Sequence, residues 1–259
     1  MMEELVSLLS IYEWPSQAFW RYFELKMLRQ IEYKRPILEI GCGDGRFSAL
    51  IFDVIDEAID IDSFSVDKCM KFHKNLYIKV RCLDARTQLY NNGEYATIVA
   101  NCVMEHISDI KGVLSGCFKG LKPGGRLIIT IPLKSMNNHL LLPWGWYAAF
   151  RRRQLFHVNL LEQNEWEALL RGVGFYIVEI RQYLFEKECK FWDTLDGIGC
   201  IGYGRYSLSN AIRLLARIFL SQRSKERISR MVSEYIMRKY DDGWHTGEAC
   251  AALMIATKR

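Results

Sequence analysis

The stretch Ile37-Leu38-Glu39-Ile40-Gly41-Cys42-Gly43-Asp44-Gly45 decides how the chain is read. A short apolar strand runs straight into three glycines at alternate positions. Glycine permits positive φ and close backbone approach, so such a turn lets a ligand lie against bare main chain at a strand's end. A dinucleotide fingerprint needs its third glycine one residue later, where this chain has Arg46, and a P-loop needs a following Gly-Lys-Ser/Thr that is missing here. The spacing favours a nucleoside without a pyrophosphate. Taken alone, the triplet is equally compatible with a tight structural turn.

The triplet is not alone. In Ala58-Ile59-Asp60-Ile61-Asp62, Asp60 ends a second apolar run about seventeen residues beyond Gly43. An acid at that place meets ribose hydroxyls in a nucleotide-binding βαβ unit. Asp62 shares the strand period, although a helix cap explains it better. Ile98-Val99-Ala100-Asn101 ends a further run on an amide.

Around these segments, apolar runs of strand length alternate with helix-period stretches, the pattern of a doubly wound α/β sheet covered by helices. Strands are expected at 37–40, 57–61, 76–83, 96–100, 126–131, 175–185 and 249–257. Helices are expected over 14–31, after the glycines through Phe47, Leu50 and Ile51, and over 65–73, 110–121 and 162–171. The Lys122-Pro123-Gly124-Gly125 run should stop the fourth of these helices.

Composition sets outer bounds. The 259 residues are half apolar and a quarter charged, as in an ordinary globular protein. The start Met1-Met2-Glu3-Glu4 shows no secretory signal, and the apolar stretches 140–150 and 214–220 are too short or interrupted to span a bilayer. Eight cysteines with no C-x-x-C pair read as reduced thiols in a cytoplasmic protein, with neither a disulfide framework nor a metal site expected. The net charge of +5 is uneven. Between Arg205 and Lys239 nine Lys/Arg face only Glu226 and Glu234, a surplus of seven that leaves the rest at −2.

Taken as a set, these motifs resemble the class I S-adenosylmethionine-dependent methyltransferases, in particular the broad group that methylates small molecules, quinones and sugars. Ile37–Gly45 resembles the family's first motif and Ala58–Asp62 its acidic second-strand motif. Leu83-Asp84-Ala85 resembles the adenine-binding segment, and Tyr95 to Pro132 the block from the fourth strand to the fifth. The likeness resumes at His157–Ile180, is weak over 133–156 and is missing over about 186–247. It implies a seven-stranded, mostly parallel sheet whose last strand is antiparallel. It implies S-adenosylmethionine held by the Gly41, Cys42, Gly43 and Gly45 backbone, with Glu39 bracing the loop. Asp60 and Ile61 would meet the ribose side, Asp84 and Ala85 the adenine, and Asn101 the underside of the cofactor. Arg21 is a candidate partner for the methionyl carboxylate or, equally, a helix-surface arginine. One domain, 1–259, is expected: a helical segment 1–35, a cofactor core 36–132, and substrate-cap insertions 133–161 and 186–248.

A hydroxyl acceptor must lose a proton, and histidine is the natural base near neutral pH. His157, after the first insertion, ranks first; His106, in Met104-Glu105-His106, serves either catalysis or loop closure. The insertions concern the acceptor. Leu140 to Phe150 is aromatic-rich and followed by Arg151-Arg152-Arg153. In 207–222 Ile212, Leu215, Ile218 and Phe219 share one helix face, and Arg213 and Arg217 another. Two readings stand: a lid packed on its apolar face with arginines in water, or contact of 140–153 and 205–239 with an anionic membrane's inner face. A hydrophobic or lipid-linked acceptor with O-methylation is favoured. The alternatives are RNA methylation, disfavoured because few aromatics interleave the basic segment, and a non-catalytic cofactor-binding adaptor.

Overall fold

The computed structural model describes residues 2–87, 92–201, 207–240 and 245–259. Arg205, counted in the basic segment, lies outside the described residues. Seven strands form one sheet: β1 (Ile37–Ile40), β2 (Ile55–Asp60), β3 (Tyr77–Cys82), β4 (Tyr95–Asn101), β5 (Leu121–Pro132), β6 (Tyr176–Phe185) and β7 (Ala249–Thr257). Their order is β3-β2-β1-β4-β5-β7-β6. β1 pairs in parallel with both β2 and β4, and β7 pairs antiparallel with β5. The order reverses between β1 and β4, the switch point outside whose strand ends open α/β sheets bind ligands.

The helices are α1 (Met2–Tyr12), α2 (Pro15–Leu28), α3 (Ser63–Phe72), α4 (Ile110–Gly120), α5 (Gly145–Gln154), α6 (Gln163–Val173), α7 (Glu186–Gly199), α8 (Leu208–Phe219) and α9 (Gln222–Tyr240). The chain divides into two compact units. A sheet unit holds Met27–Lys134, Ala149–Gln182 and Ala251–Arg259, and a helical unit holds Met1–Lys26, Ser135–Ala148 and Tyr183–Cys250.

In the sheet unit the period of two divides the core. Leu38, Ile40, Ile98 and Ala100 pack with Val113, Leu114, Trp166 and Leu170 of α4 and α6. Ile37, Val99, Ile128 and Ile255 point to the opposite face, with Leu28, Phe52 and Cys69. Each such side chain removed from water contributes roughly 1.5–3 kcal/mol before chain entropy is charged against it.

Three expectations are corrected. The helix after the glycines shrinks to one 3-10 turn, Ser48–Leu50, because Ser48 turns inward and is buried and β2 already begins at Ile55. β2 starts early because the Ile55 amide reaches the Leu76 carbonyl at 2.7 Å. β5 runs back through the Pro-Gly-Gly stop to Leu121, which pairs with Tyr95 across a register shift. There the Gly124 amide donates to the Lys258 carbonyl at 2.7 Å. α1 lies within the helical segment expected over 1–35, ahead of the helix assigned to 14–31, and buries Leu5, Leu8 and Leu9.

The helical unit buries charge as well as apolar surface. Glu24 accepts from Trp20 Nε1 at 2.8 Å and Tyr183 OH at 3.0 Å, and pairs with Arg21 at 2.5 Å. Glu188 accepts from the Phe185 amide at 2.5 Å and meets His245 Nδ1 at 2.9 Å. Burial pushes the Glu188 carboxyl up to about 7, only partly opposed by the Phe185 amide. Its folded value exceeds its unfolded one, so its contribution to stability is complete below about pH 4.5 and is lost as pH rises through about 7. Glu188→Gln should therefore be more stable than wild type at pH 8, by about 1–2 kcal/mol after discounting for solvent screening, and close to wild type at pH 5. Thermal melts at the two pH values check the sign.

Candidate active site

The glycine loop leaves β1 at the switch point with Gly41, Gly43 and Gly45 at φ of 75°, 53° and 78°. Gly41 donates its amide to the Ile59 carbonyl at 2.8 Å. A Cβ on Gly41 would fall 2.3 Å from Val103 Cγ2, whereas one on Gly43 would meet nothing within 4 Å. Gly41 is therefore needed for packing, and Gly43 presents open main chain. At Gly45 the neighbours are Cys69 and Tyr77, from α3 and β3.

Acids fasten this loop from both sides. Asp60 Oδ2 accepts from the Gly43 amide at 2.7 Å and Oδ1 from the Asp62 amide at 2.9 Å. A carboxylate has about four lone-pair directions, so capacity remains for two hydroxyls. Glu39 is buried and accepts from Ser48 Oγ at 2.5 Å and Tyr77 OH at 2.9 Å. Cys42 is buried beside Cys69, and that neighbour together with burial pushes its thiol up.

The remaining candidates fall around this core. Ile61 is 67% exposed at the end of β2, a large apolar side chain with nothing over it. The Leu83 amide donates to the Asp60 carbonyl at 2.8 Å, which sets Asp84 and Ala85 just beyond the same strand ends. The Asp84 carboxylate is held by Arg86 at 2.5 Å, which keeps it below the usual carboxylate range. Asn101 accepts from the Thr130 hydroxyl, and Cys102 follows it in the left-handed region at φ 51°. Asp62 caps α3 through the Phe64 and Ser65 amides, the role its position favoured. Arg21 belongs to the helical unit, paired with Glu24.

Beyond β4 the chain makes a 3-10 turn, Met104–His106, and a second segment, 156–159, is clamped to it. Val158 and Asn159 donate their amides to the Glu105 carbonyl at 2.8 and 2.9 Å. Asn159 Nδ2 donates to the Met104 carbonyl at 3.1 Å and to that of Ile107. His106 Nδ1 lies 3.0 Å from the Phe156 carbonyl, which can only accept, so the proton sits on Nδ1. Arg152 holds the His157 and Val158 carbonyls at 3.1 and 2.8 Å. The two imidazole rings end 5.4 Å apart beside the buried Glu105. His106, Ala149, Arg152, Phe156, His157 and Val158 line a mainly apolar pocket of about 810 Å³. Burial first, then His106, Arg151 and Arg152, push His157 down to about 4, so its ring is neutral at pH 7.

The histidines were visible singly in the sequence. Their union was not, nor were the parts of Glu105 and Asn159, because the clamp joins main-chain groups some fifty residues apart.

Residues 16–180 match the family model described as a methyltransferase domain. The chain belongs to that family. It is a class I S-adenosylmethionine-dependent methyltransferase, and its sheet has the architecture the motifs implied. Among curated relatives, it is 25% identical over 157 residues to a malonyl-[acyl-carrier protein] O-methyltransferase from Paenibacillus sp. (strain JDR-2). That match covers 56% of this chain and 57% of the relative, so the chain spans little more than half of that protein's length. Phosphoethanolamine N-methyltransferase 2 of Haemonchus contortus, solved with phosphomonomethylethanolamine and S-adenosylhomocysteine, is 14% identical at a TM-score of 0.56, covering 98% of this chain and 60% of that one. The [4+2]-cyclase SpnF reaches the same TM-score of 0.56 at 15% identity, covering 95% of this chain and 83% of that one. The fold is thus shared by O-methylating, N-methylating and cyclising proteins, and the acceptor must be argued from this chain's own surfaces.

The methyltransferase's loop suits its cofactor. Open main chain at Gly43, spare acceptor capacity on Asp60 and the uncovered Ile61 match a nucleoside with free ribose hydroxyls.

Proposed function

We propose that this methyltransferase methylates a hydroxyl oxygen of a hydrophobic or lipid-linked small molecule met at the anionic inner face of a membrane. The supporting observation is the surface of α8. Leu214, Leu215, Ile218 and Phe219 are 58%, 53%, 63% and 75% exposed. Its arginines are instead engaged, Arg217 with Glu13 at 2.5 Å and Arg213 with Gln17 at 3.3 Å. A lid packs its apolar face on the protein; on α8 that face lies in water, while Arg217, itself 63% exposed, and Arg213 have protein partners. Arg223 and Arg227 follow, exposed, on α9. An apolar ridge with adjacent cations is the chemistry of an interfacial helix on anionic headgroups. Among the described residues no helix is long and apolar enough to cross a membrane.

When bound, S-adenosylmethionine supplies a methyl group activated by its sulfonium. The chain's task is then alignment, holding the acceptor oxygen at roughly 3–3.5 Å and in line. In this reading Glu39, Gly41, Cys42, Gly43, Gly45, Asp60, Ile61, Asp84, Ala85 and Asn101 hold the cofactor. His106 and His157 face the acceptor hydroxyl, and the neutral His157 ring is placed to accept its hydrogen bond. A ring held near 4 is a weak proton acceptor, so it orients the oxygen better than it deprotonates it.

Vesicle flotation tests the surface. Wild type should float with anionic phosphatidylglycerol vesicles at low salt, not with neutral phosphatidylcholine. The double variant Leu215→Glu, Phe219→Glu should stay in solution while binding S-adenosylmethionine normally. Equal flotation with both vesicle types, or none, contradicts membrane presentation.

A further inference from the structure

The pocket holds one feature that methyl transfer alone does not require. Glu105, His106 and His157 each offer a ligand atom, and these atoms lie within 4.8 Å of one another. His106 Nε2 stands 3.7 Å from Glu105 Oε1. Ligand atoms around a tetrahedral ion with bonds of 2.0–2.2 Å are about 3.4 Å apart, so side-chain adjustments of about an ångström close the set.

Two further observations point to a ligand. The His106 Nδ1 proton is committed to the Phe156 carbonyl, which leaves a lone pair on Nε2, and a carbonyl behind the distal nitrogen is the usual support of a metal-bound imidazole. His157 Nδ1 is buried and makes no hydrogen bond within the protein. A buried polar atom without a partner is costly, and here it sits in the same small space.

We propose that Glu105, His106 and His157 bind one divalent ion of the borderline class, with Zn²⁺ as its representative. Two imidazole nitrogens and one carboxylate suit Zn²⁺, Co²⁺, Mn²⁺ or Fe²⁺, whereas Mg²⁺ and Ca²⁺ prefer all-oxygen sites. One carboxylate neutralises half of a dication, and Arg152, spent on the His157 and Val158 carbonyls, adds further positive charge nearby. The open position therefore favours an anionic oxygen. In the function proposed above this is the ionised acceptor hydroxyl, whose proton passes to solvent and whose oxygen bonds to the methyl carbon as the S–CH3 bond breaks, its electron pair returning to sulfur and leaving S-adenosylhomocysteine. Such an ion would do what a ring held neutral by burial does poorly.

The binding claim stands apart from that function, and its test needs no methyl acceptor. Protein stripped with EDTA is titrated with Zn²⁺ by calorimetry and with Co²⁺ by visible absorption, with Mg²⁺ as competitor. One equivalent per chain is expected, with Co²⁺ ligand-field bands that Mg²⁺ at a hundredfold excess does not displace. His157→Ala and Glu105→Gln should each weaken binding at least tenfold, with S-adenosylmethionine affinity within twofold of wild type as evidence of an intact fold. If the buried Glu105→Gln fails that check, His157→Ala alone decides. No saturable binding, or binding unchanged in His157→Ala, overturns the assignment while leaving the methyl-transfer reading to its own test.

Discussion

Asp60→Ala is expected to weaken S-adenosylmethionine binding by about 100- to 20,000-fold without unfolding the protein. Two ribose hydroxyls donating to one carboxylate contribute about 1.5–3 kcal/mol each, and every 1.4 kcal/mol is tenfold in affinity. The same substitution releases the Gly43 amide, which Asp60 Oδ2 holds at 2.7 Å, so the cofactor loop loses its brace along with its acceptor. Asp60→Asn keeps one carbonyl oxygen in place and should fall between wild type and alanine. Calorimetric titration measures the affinity, and far-ultraviolet circular dichroism checks the fold. Unchanged affinity in the alanine variant would remove Asp60 from the pocket.

Asn159→Ala should have the opposite signature, with turnover down about 100-fold and cofactor affinity intact. Its amide ties the Met104 and Ile107 carbonyls to the segment that carries His157. Without that tie, His157 drifts from His106 and Glu105, and a misplacement of about 1 Å in an aligned site costs on the order of a hundredfold. Asn159→Asp, the same shape without the donor, should behave like alanine. Separate measurement of kcat and of S-adenosylmethionine Kd makes the distinction. A loss confined to Kd would show that Asn159 serves the cofactor loop instead.

What could be read in advance follows from how local each signal is. β1, β4 and β7 are continuous apolar runs whose two buried faces leave no alternation to misread, and the glycine loop is decided by backbone conformation at adjacent positions. Asp60 was legible because a β-α-β unit places its second strand end beside the first. The turn at Ser48–Leu50 was not, because its apolar residues have helical spacing while Ser48 is drawn inward by Glu39, nine residues earlier. β5 crossed a Pro-Gly-Gly stop because a partner at Lys258 satisfies the Gly124 amide, a contact no local rule contains.

The candidate-site cluster around His106 and His157 shows the same limit. Glu105 is a buried acid in a short turn whose carbonyl accepts from the Val158 and Asn159 amides, and Asn159 is an ordinary polar residue in a loop that donates to the Met104 and Ile107 carbonyls; each gains its part only through the other segment. α8 is a different case. Its amphipathic pattern was plain in the sequence, but which face met the protein depended on Glu13 and Gln17, whose pairing with Arg217 and Arg213 leaves the apolar ridge outward.

The reaction proposed for this chain is methyl transfer to a hydrophobic hydroxyl acceptor. Its most direct measurement incubates the protein with trideuteromethyl S-adenosylmethionine and a detergent-free membrane extract, followed by mass spectrometry of the organic-soluble fraction. A new ether is expected in that fraction, 17 mass units above its acceptor (about the mass of CD₃ less the hydrogen it replaces), missing with Asp60→Ala. Label found only in water-soluble or nucleic-acid products, or no label at all from protein that binds the cofactor, would contradict it.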